Sequence, residues 1–129
     1  MRAAVYCRMS HESDNVRTQE ADCRELCEGR GWEVAGVWVD DGVSAYRGRR
    51  LRRGYREMMA AIEAGGIGAV VVSNVDRLER SNRDFAEFVD ICTSHHIDVV
   101  TPSGSTDTTT ADGRYYLHGL GQAAGPAAR

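Results

Sequence analysis

Short apolar runs alternate with stretches of helical periodicity along the first hundred residues, and this alternation constrains the fold more than any other feature. Four runs have the length and composition of buried strands, at residues 3–7, 32–39, 67–72 and 97–100. Between them, apolar side chains recur at helical spacing around Cys23, Met58 and Phe88, which predicts three amphipathic helices. The alternation predicts a three-layer α/β/α fold with a mainly parallel central sheet of four to five strands.

The length of 129 residues and the 42% hydrophobic content suit one compact domain. We expect this domain to span residues 1–118, followed by a Gly/Ala-rich tail at 119–129. A helix beginning near Arg114 is expected to fray within this tail, because glycine costs about 1 kcal/mol and interior proline about 3 kcal/mol relative to alanine. The chain has neither a run of 18 apolar residues nor the layout of a signal peptide, so we expect a cytoplasmic protein without a membrane segment.

Cysteine and histidine spacing gives no sign of a metal centre. The four cysteines form no CxxC pair and lie within apolar patterns, which indicates buried, reduced thiols. The four histidines lack metal-binding spacing such as HExxH. We therefore predict no metal site.

Charge is distributed unevenly along the chain. The formal net charge is -3, yet residues 47–56 hold six arginines and no acid, between flanks of net charge -4 and -5. The net charge argues weakly against a nucleic-acid partner, but guanidinium groups grip phosphate oxygens with two parallel hydrogen bonds, so this stretch is suited to binding phosphate groups. The chain has no lysine, for which genome composition is an equally good explanation. The predicted DNA-binding residues are Arg47, Arg49, Arg50 and Arg53.

Three polar clusters follow predicted strands and should meet at one edge of the sheet. They are centred on Ser10, on Asp41 with Ser44, and on Asp76 with Arg77. In open parallel sheets, ligand sites form outside the carboxyl ends of the strands. Ser10 taken alone is better explained as a helix cap or turn residue, although Arg8 alternates with it and is suited to stabilising charge on an attacked phosphate.

Two further segments point toward the same edge. Gln19 falls on the helical face of Cys23 and Cys27, so its amide should point inward and require a partner, unless solvent still reaches it in the first turn. Asp76 resembles a helix cap, and Arg77 and Arg80 then oppose the helix dipole unless an anion lies there. This inventory fits phosphoryl transfer without a metal ion. A phosphatase using Cys7 requires an arginine at the position of Ser13 and is discounted.

These residues resemble the N-terminal catalytic domain of the serine recombinases, a family of resolvases, invertases and large serine integrases. The resemblance covers about residues 2–118. It is carried by the motifs Tyr6-Cys7-Arg8-Met9-Ser10, Arg17-Thr18-Gln19, Asp40-Asp41-Gly42-Val43-Ser44, Arg52-Arg53-Gly54-Tyr55, Asp76-Arg77-Leu78-Glu79-Arg80 and Asp107-Thr108-Thr109-Thr110. Ala45 and Arg53 depart from the glycine and proline that are frequent at these positions in the family.

The resemblance implies a site-specific recombination reaction. Ser10 would attack a DNA phosphodiester to form a 5′-phosphoserine link, and Arg8, Arg77 and Arg80 would bind the phosphate. Arg52, Gln19 and Asp76 would complete the catalytic set, with Tyr6, Asp41 and Ser44 in support. Asp76 is a candidate proton acceptor, although an ordinary aspartate is a weak base, and the identity of the base stays open.

The resemblance also implies partners and limits. Double-stranded DNA would be the substrate, a homodimer or tetramer of the complete protein would act on it, and no cofactor would be required. Residues 119–129 would be the start of a long dimerisation helix, with the DNA-binding domain absent. This end fits either a piece of a larger protein, inactive alone, or a degraded copy. The alternative function is a non-catalytic DNA-binding or assembly domain.

Overall fold

Eight elements alternate along the chain in the computed structural model, which describes residues 1–9, 15–41, 53–73 and 82–127. The strands are β1 (Arg2–Met9), β2 (Glu33–Asp41), β3 (Ala69–Val72) and β4 (Asp98–Val100). The helices are α1 (Val16–Arg30), α2 (Arg53–Ala64), α3 (Asn82–Ser94) and α4 (Ala111–Ala127). The predicted alternation of strands and helices is confirmed.

The four strands form one parallel sheet in the order β2-β1-β3-β4. Tyr6 of β1 pairs with Trp38 of β2 on one side and with Val72 of β3 on the other. Because all the pairs are parallel, the carboxyl ends of the strands lie along one edge of the sheet. The predicted sheet is confirmed, with four strands in the described part of the chain.

Alternate side chains of the sheet face two separate cores. Ala4 and Tyr6 of β1 pack with α2 and α3, whereas Val5 and Cys7 pack with Cys23 and other residues of α1. Every residue of β3 is buried, as expected for a central parallel strand with helices on both faces. The three-layer arrangement is confirmed.

All four cysteines are buried free thiols, as the sequence predicts. Burial raises the pKa of Cys7 to about 11 and the pKa values of Cys23 and Cys92 to about 12. Such thiols stay protonated at neutral pH and behave as small apolar side chains.

The final helix differs from the frayed tail that the sequence predicts, because α4 continues through residue 118 to Ala127. The Thr110 hydroxyl caps its start by accepting from the Gly113 amide at 2.9 Å. Leu117 and Leu120 pack against the core shared with α3. Each further helical residue adds a hydrogen bond once the first turn is fixed, so capping and packing offset the cost of the glycines.

In the ranges listed above, no helix combines the length and the apolar character needed to cross a bilayer.

Candidate functional site

Arg8 and Asp41, two of the predicted site residues, lie on neighbouring strands at the carboxyl edge of the sheet. The backbone of Arg8 pairs with that of Asp40, and Met9 pairs with Asp41. The structure therefore brings the ends of β1 and β2 together, as the sequence predicts. Nine predicted site residues lie outside the described residues: Ser10, Ser44, Arg47, Arg49, Arg50, Arg52, Asp76, Arg77 and Arg80.

Gln19 points inward, as predicted, and its partner is the backbone of Arg8. The Gln19 Oε1 atom accepts from the Arg8 amide at 3.1 Å, and Gln19 Nε2 donates to the Arg8 carbonyl oxygen at 3.0 Å. Asn15 begins α1 by accepting from the Thr18 amide at 3.0 Å, which places Gln19 in the turn nearest to β1. Gln19 therefore fixes the backbone of the strand two residues before Ser10.

The Gln19 amide occupies the place of a strand residue beside β1. The Arg2 carbonyl oxygen accepts from the Gly68 amide, next to β3, whereas the Met1 carbonyl oxygen accepts from the Glu33 amide of β2. Even-numbered residues of β1 therefore present their backbone groups toward β3. The described pairing with β3 runs from Ala3 to Tyr6, and Gln19 bonds to the Arg8 backbone on this same side of β1.

Asp40 is a buried functional candidate that the sequence analysis missed. Its side chain is 5% exposed, and its carboxylate accepts three hydrogen bonds. The Tyr6 hydroxyl donates to Oδ2 at 2.6 Å, the Gly54 amide to Oδ1 at 2.7 Å, and the Tyr55 amide to Oδ2 at 2.9 Å. The available signal was strand alternation, because Trp38 and Asp40 are two residues apart and share the face that α2 covers.

Tyr6 is buried rather than presented at the open edge of the sheet. Its side chain is fully buried, and its ring meets that of Tyr55 edge-on, with 6.0 Å between the centroids. Tyr6, predicted as a supporting residue, directs its hydroxyl to Asp40 beneath α2.

The start of α2 approaches β2 so closely that only glycine fits at position 54. A Cβ atom there would lie 2.8 Å from the Val39 carbonyl oxygen and 2.9 Å from Asp40 Oδ1. Arg53, a predicted DNA-binding residue, begins the same helix with an exposed side chain, and its Nε lies 3.1 Å from Glu57 Oε2. The structure thus places Arg53 at the surface near the sheet edge.

The segment 107–110, one of the family motifs, has structural contacts in this protein. The Thr108 hydroxyl accepts from the Val99 amide at 2.7 Å, and Asp107 pairs with Arg30 of α1 at 2.7 Å. Burial opposes ionisation of Asp107, but hydrogen bonds from Arg30 and Thr109 outweigh it and lower the pKa of the carboxyl. The motif ties β4 and α4 to α1.

Among the described residues, no three His, Cys, Asp or Glu side chains are grouped closely enough to hold a metal ion.

Comparison with known proteins identifies the family of the chain. The model of the resolvase N-terminal domain matches residues 3–125. No curated protein gives a significant match. Among solved structures, the N-terminal catalytic domain of TP901-1 integrase is 29% identical, with a TM-score of 0.80 over 95% of this chain and 93% of that one.

Two more distant structures show the same fold. A resolvase family site-specific recombinase from Streptococcus pneumoniae is 19% identical, with a TM-score of 0.75 over 95% of this chain and 87% of that one. The C-terminal catalytic domain of ISC1926 TnpA, an IS607-like serine recombinase, is 14% identical, with a TM-score of 0.68 over 97% of this chain and 99% of that one. The chain belongs to the serine recombinase family, as a resolvase-type catalytic domain.

Proposed function

We propose that this domain cuts and rejoins DNA in site-specific recombination, with Ser10 as the nucleophile. The observation that carries the proposal is the fixed end of β1, where Gln19 holds both backbone groups of Arg8. A nucleophile must be held in a defined place to attack efficiently, and Ser10 lies two residues beyond this anchor. The family match over residues 3–125 supports the same assignment.

The proposed step exchanges one phosphate ester for another. Ser10 Oγ forms a bond to phosphorus as the bond from phosphorus to the 3′ oxygen breaks, which leaves a 5′-phosphoserine and a 3′-hydroxyl. The serine proton passes to a base, for which Asp76 is the candidate, and the departing 3′ oxygen takes up a proton. Rejoining is the reverse attack by a 3′-hydroxyl. Because a phosphodiester is kept throughout, the exchange requires no external source of energy.

Arginines supply the positive charge in this proposal. Arg8, Arg77 and Arg80 would stabilise charge on the non-bridging phosphate oxygens, with Arg52 in support. Arg47, Arg49, Arg50 and Arg53 would contact the DNA backbone, and the exposure of the Arg53 side chain supports this assignment. Asp41 and Ser44 would support the loop between β2 and α2. Recombination joins two DNA sites, so the complete protein would act as a dimer or tetramer.

Covalent trapping tests the proposal. The protein, at the full length that its gene encodes, is incubated with end-labelled, nicked duplex fragments of the genome that carries the gene. We expect a protein–DNA adduct that resists denaturation, and peptide mapping should place the phosphate on Ser10. Ser10→Ala should abolish the adduct, whereas Ser94→Ala, at an exposed position that ends α3, should form it normally.

Two results would count against the proposal. An adduct that persists in Ser10→Ala would remove Ser10 as the nucleophile. DNA binding without any adduct, equal in the wild type and in Ser10→Ala, would indicate the non-catalytic binding domain instead.

A further inference from the structure

The Asp40 carboxylate lies where β1, β2 and α2 meet. Asp40 belongs to β2, and its carboxylate accepts hydrogen bonds from β1 and from α2. We propose that Asp40 is a positioning residue. It would hold the start of α2, and with it the adjoining Arg52, in a fixed place relative to the end of β1 that leads to Ser10. This inference rests on the function proposed above, because it assigns Asp40 a role in bringing Arg52 and Ser10 together.

Asp40 is itself firmly placed on the sheet. Its backbone pairs with Arg8, and its carboxylate reaches the hydroxyl of Tyr6, which is two residues earlier on the same strand. The 2.6 Å hydrogen bond is buried and is made to a carboxylate, and bonds of this kind are short and strong. Any displacement of Asp40 relative to β1 would strain both links.

The start of α2 depends on this distant carboxylate. The first amides of a helix have no partner within the helix and normally take one from a preceding Ser, Thr, Asp or Asn. Leu51 and Arg52 precede α2, and neither has a side-chain oxygen. The amides of Gly54 and Tyr55 instead donate to Asp40, which is 14 and 15 positions away in the sequence.

Both oxygens of the side chain must accept hydrogen bonds. Oδ1 receives the Gly54 amide, and Oδ2 receives the Tyr55 amide and the Tyr6 hydroxyl. An asparagine has one oxygen and an NH₂ group that only donates. Whichever way this amide turns, one backbone N–H of α2 faces a donor and loses its partner. Asp40→Asn therefore changes the link with almost no change in side-chain volume.

The experiment measures single-turnover adduct formation with the labelled genomic duplexes described above. The variants are Asp40→Asn, Tyr6→Phe and the double variant. Tyr6→Phe removes the hydroxyl that links Asp40 to β1, and it keeps the ring of residue 6 and the two hydrogen bonds from α2 to Asp40. The matched control is Glu63→Gln, which alters an exposed side chain of α2 that makes no bond to Asp40.

We expect the rate constant at saturating DNA to fall about tenfold in each single variant, since misplacement of about 1 Å can cost up to 100-fold. The dissociation constant for DNA should stay within about twofold of the wild-type value. The double variant should be no slower than the slower single variant, because both substitutions break the same link between β1 and α2. A purely structural role would lower the amplitude, which reports the folded fraction, and leave the rate constant unchanged.

Hydrogen exchange gives a readout that does not depend on activity. In Asp40→Asn, the amide of Gly54 or Tyr55 that loses its acceptor should exchange at least about tenfold faster, while the amides of α1 keep their rates. Unchanged exchange, or a Tyr6→Phe rate constant equal to that of the wild type, would overturn the positioning role while Ser10 chemistry stands. A wild type that forms no adduct would instead defeat the proposed function and this inference with it.

Discussion

Two side chains anchor the carboxyl end of β1, and they do so by different physical means. Gln19 is neutral, comes from the adjacent helix α1 and bonds to the backbone of Arg8. Asp40 carries a carboxylate, comes from the neighbouring strand and bonds to the Tyr6 hydroxyl and to the start of α2. One anchor fixes the path of a single strand, whereas the other fixes a strand relative to a helix.

This difference separates two requirements of the proposed reaction. A nucleophile on β1 needs a defined backbone, which an amide supplies at any pH because it does not titrate. A phosphate-binding arginine before α2 needs a defined helix start, and a carboxylate suits this task because it accepts several hydrogen bonds at the positive end of the helix dipole. The predictions below test whether the two anchors are as distinct as their contacts indicate.

The largest expected effect is that of Gly54→Ala, which acts on the Asp40 anchor. The added methyl group meets the Val39 carbonyl oxygen at 2.8 Å, so the start of α2 must move and its bonds to Asp40 must lengthen. We expect a loss of about 3 kcal/mol in the free energy of unfolding, measured by urea denaturation.

Gly29→Ala is the matched control for this variant. Gly29 lies in α1, and its added methyl group would have no atom within 4 Å. Alanine is the better helix former there, so a gain of about 0.5 kcal/mol is expected. Equal stabilities for Gly54→Ala and the wild type would show that the Asp40 anchor tolerates displacement.

Local pattern predicted the elements of this fold better than it predicted the anchors. The alternation of strands and helices located seven of the eight described elements, and helical spacing correctly predicted that Gln19 points inward. It did not name the partner of Gln19, because any backbone group could have been one. The sequence did not identify Asp40, because its hydrogen-bond partners lie 14 to 34 positions away in the sequence. The family motif at residues 40–44 pointed to the neighbouring Asp41 instead. The extent of α4 was underestimated because packing on α3 outweighs glycine propensity.

The next effect is that of Gln19→Ala, which removes the neutral anchor. The Arg8 amide and carbonyl oxygen would both lose a partner in a partly buried place, at a cost of about 2 kcal/mol. Urea denaturation measures this loss, and Glu25→Ala at an exposed position of α1 is the control. Hydrogen exchange of the Arg8 amide should quicken in Gln19→Ala alone. Wild-type protection of that amide would mean that other contacts hold β1.

The Gln19→Glu variant tests whether the side chain that anchors Arg8 must be neutral. Above the ordinary glutamate pKa of about 4.3, the new carboxylate accepts from the Arg8 amide but repels the Arg8 carbonyl oxygen, so we expect a loss of about 1 kcal/mol at pH 7. Protonation restores a donor, so the pKa of this carboxyl should be raised in the folded state. The loss should therefore shrink as the pH falls toward 4, relative to the wild type at each pH. A loss independent of pH would contradict the proposed pair of hydrogen bonds.

The smallest expected effect comes from a charged anchor that is open to solvent, the pair of Asp107 and Arg30. The pKa of Asp107 is lowered in the folded protein, so its contribution is present above the pKa of the unfolded chain and is lost as the pH falls through the folded value. Both side chains are partly exposed, which limits the contribution to below about 1 kcal/mol.

Asp107→Asn tests this pair more cleanly than removal of Arg30, because the Arg30 guanidinium also lies over the Trp32 ring, 5.2 Å from its centroid. The difference in unfolding free energy between the wild type and Asp107→Asn should be largest near pH 6 and should shrink toward pH 3. High salt at pH 6 should also reduce it, since exposed charges are screened. A difference in unfolding free energy of about 2 kcal/mol or more that does not fall at high salt would mean that the Asp107–Arg30 pair contributes as much as the buried Asp40 anchor. Solvent exposure would then be a poor guide to the strength of charged anchors in this domain.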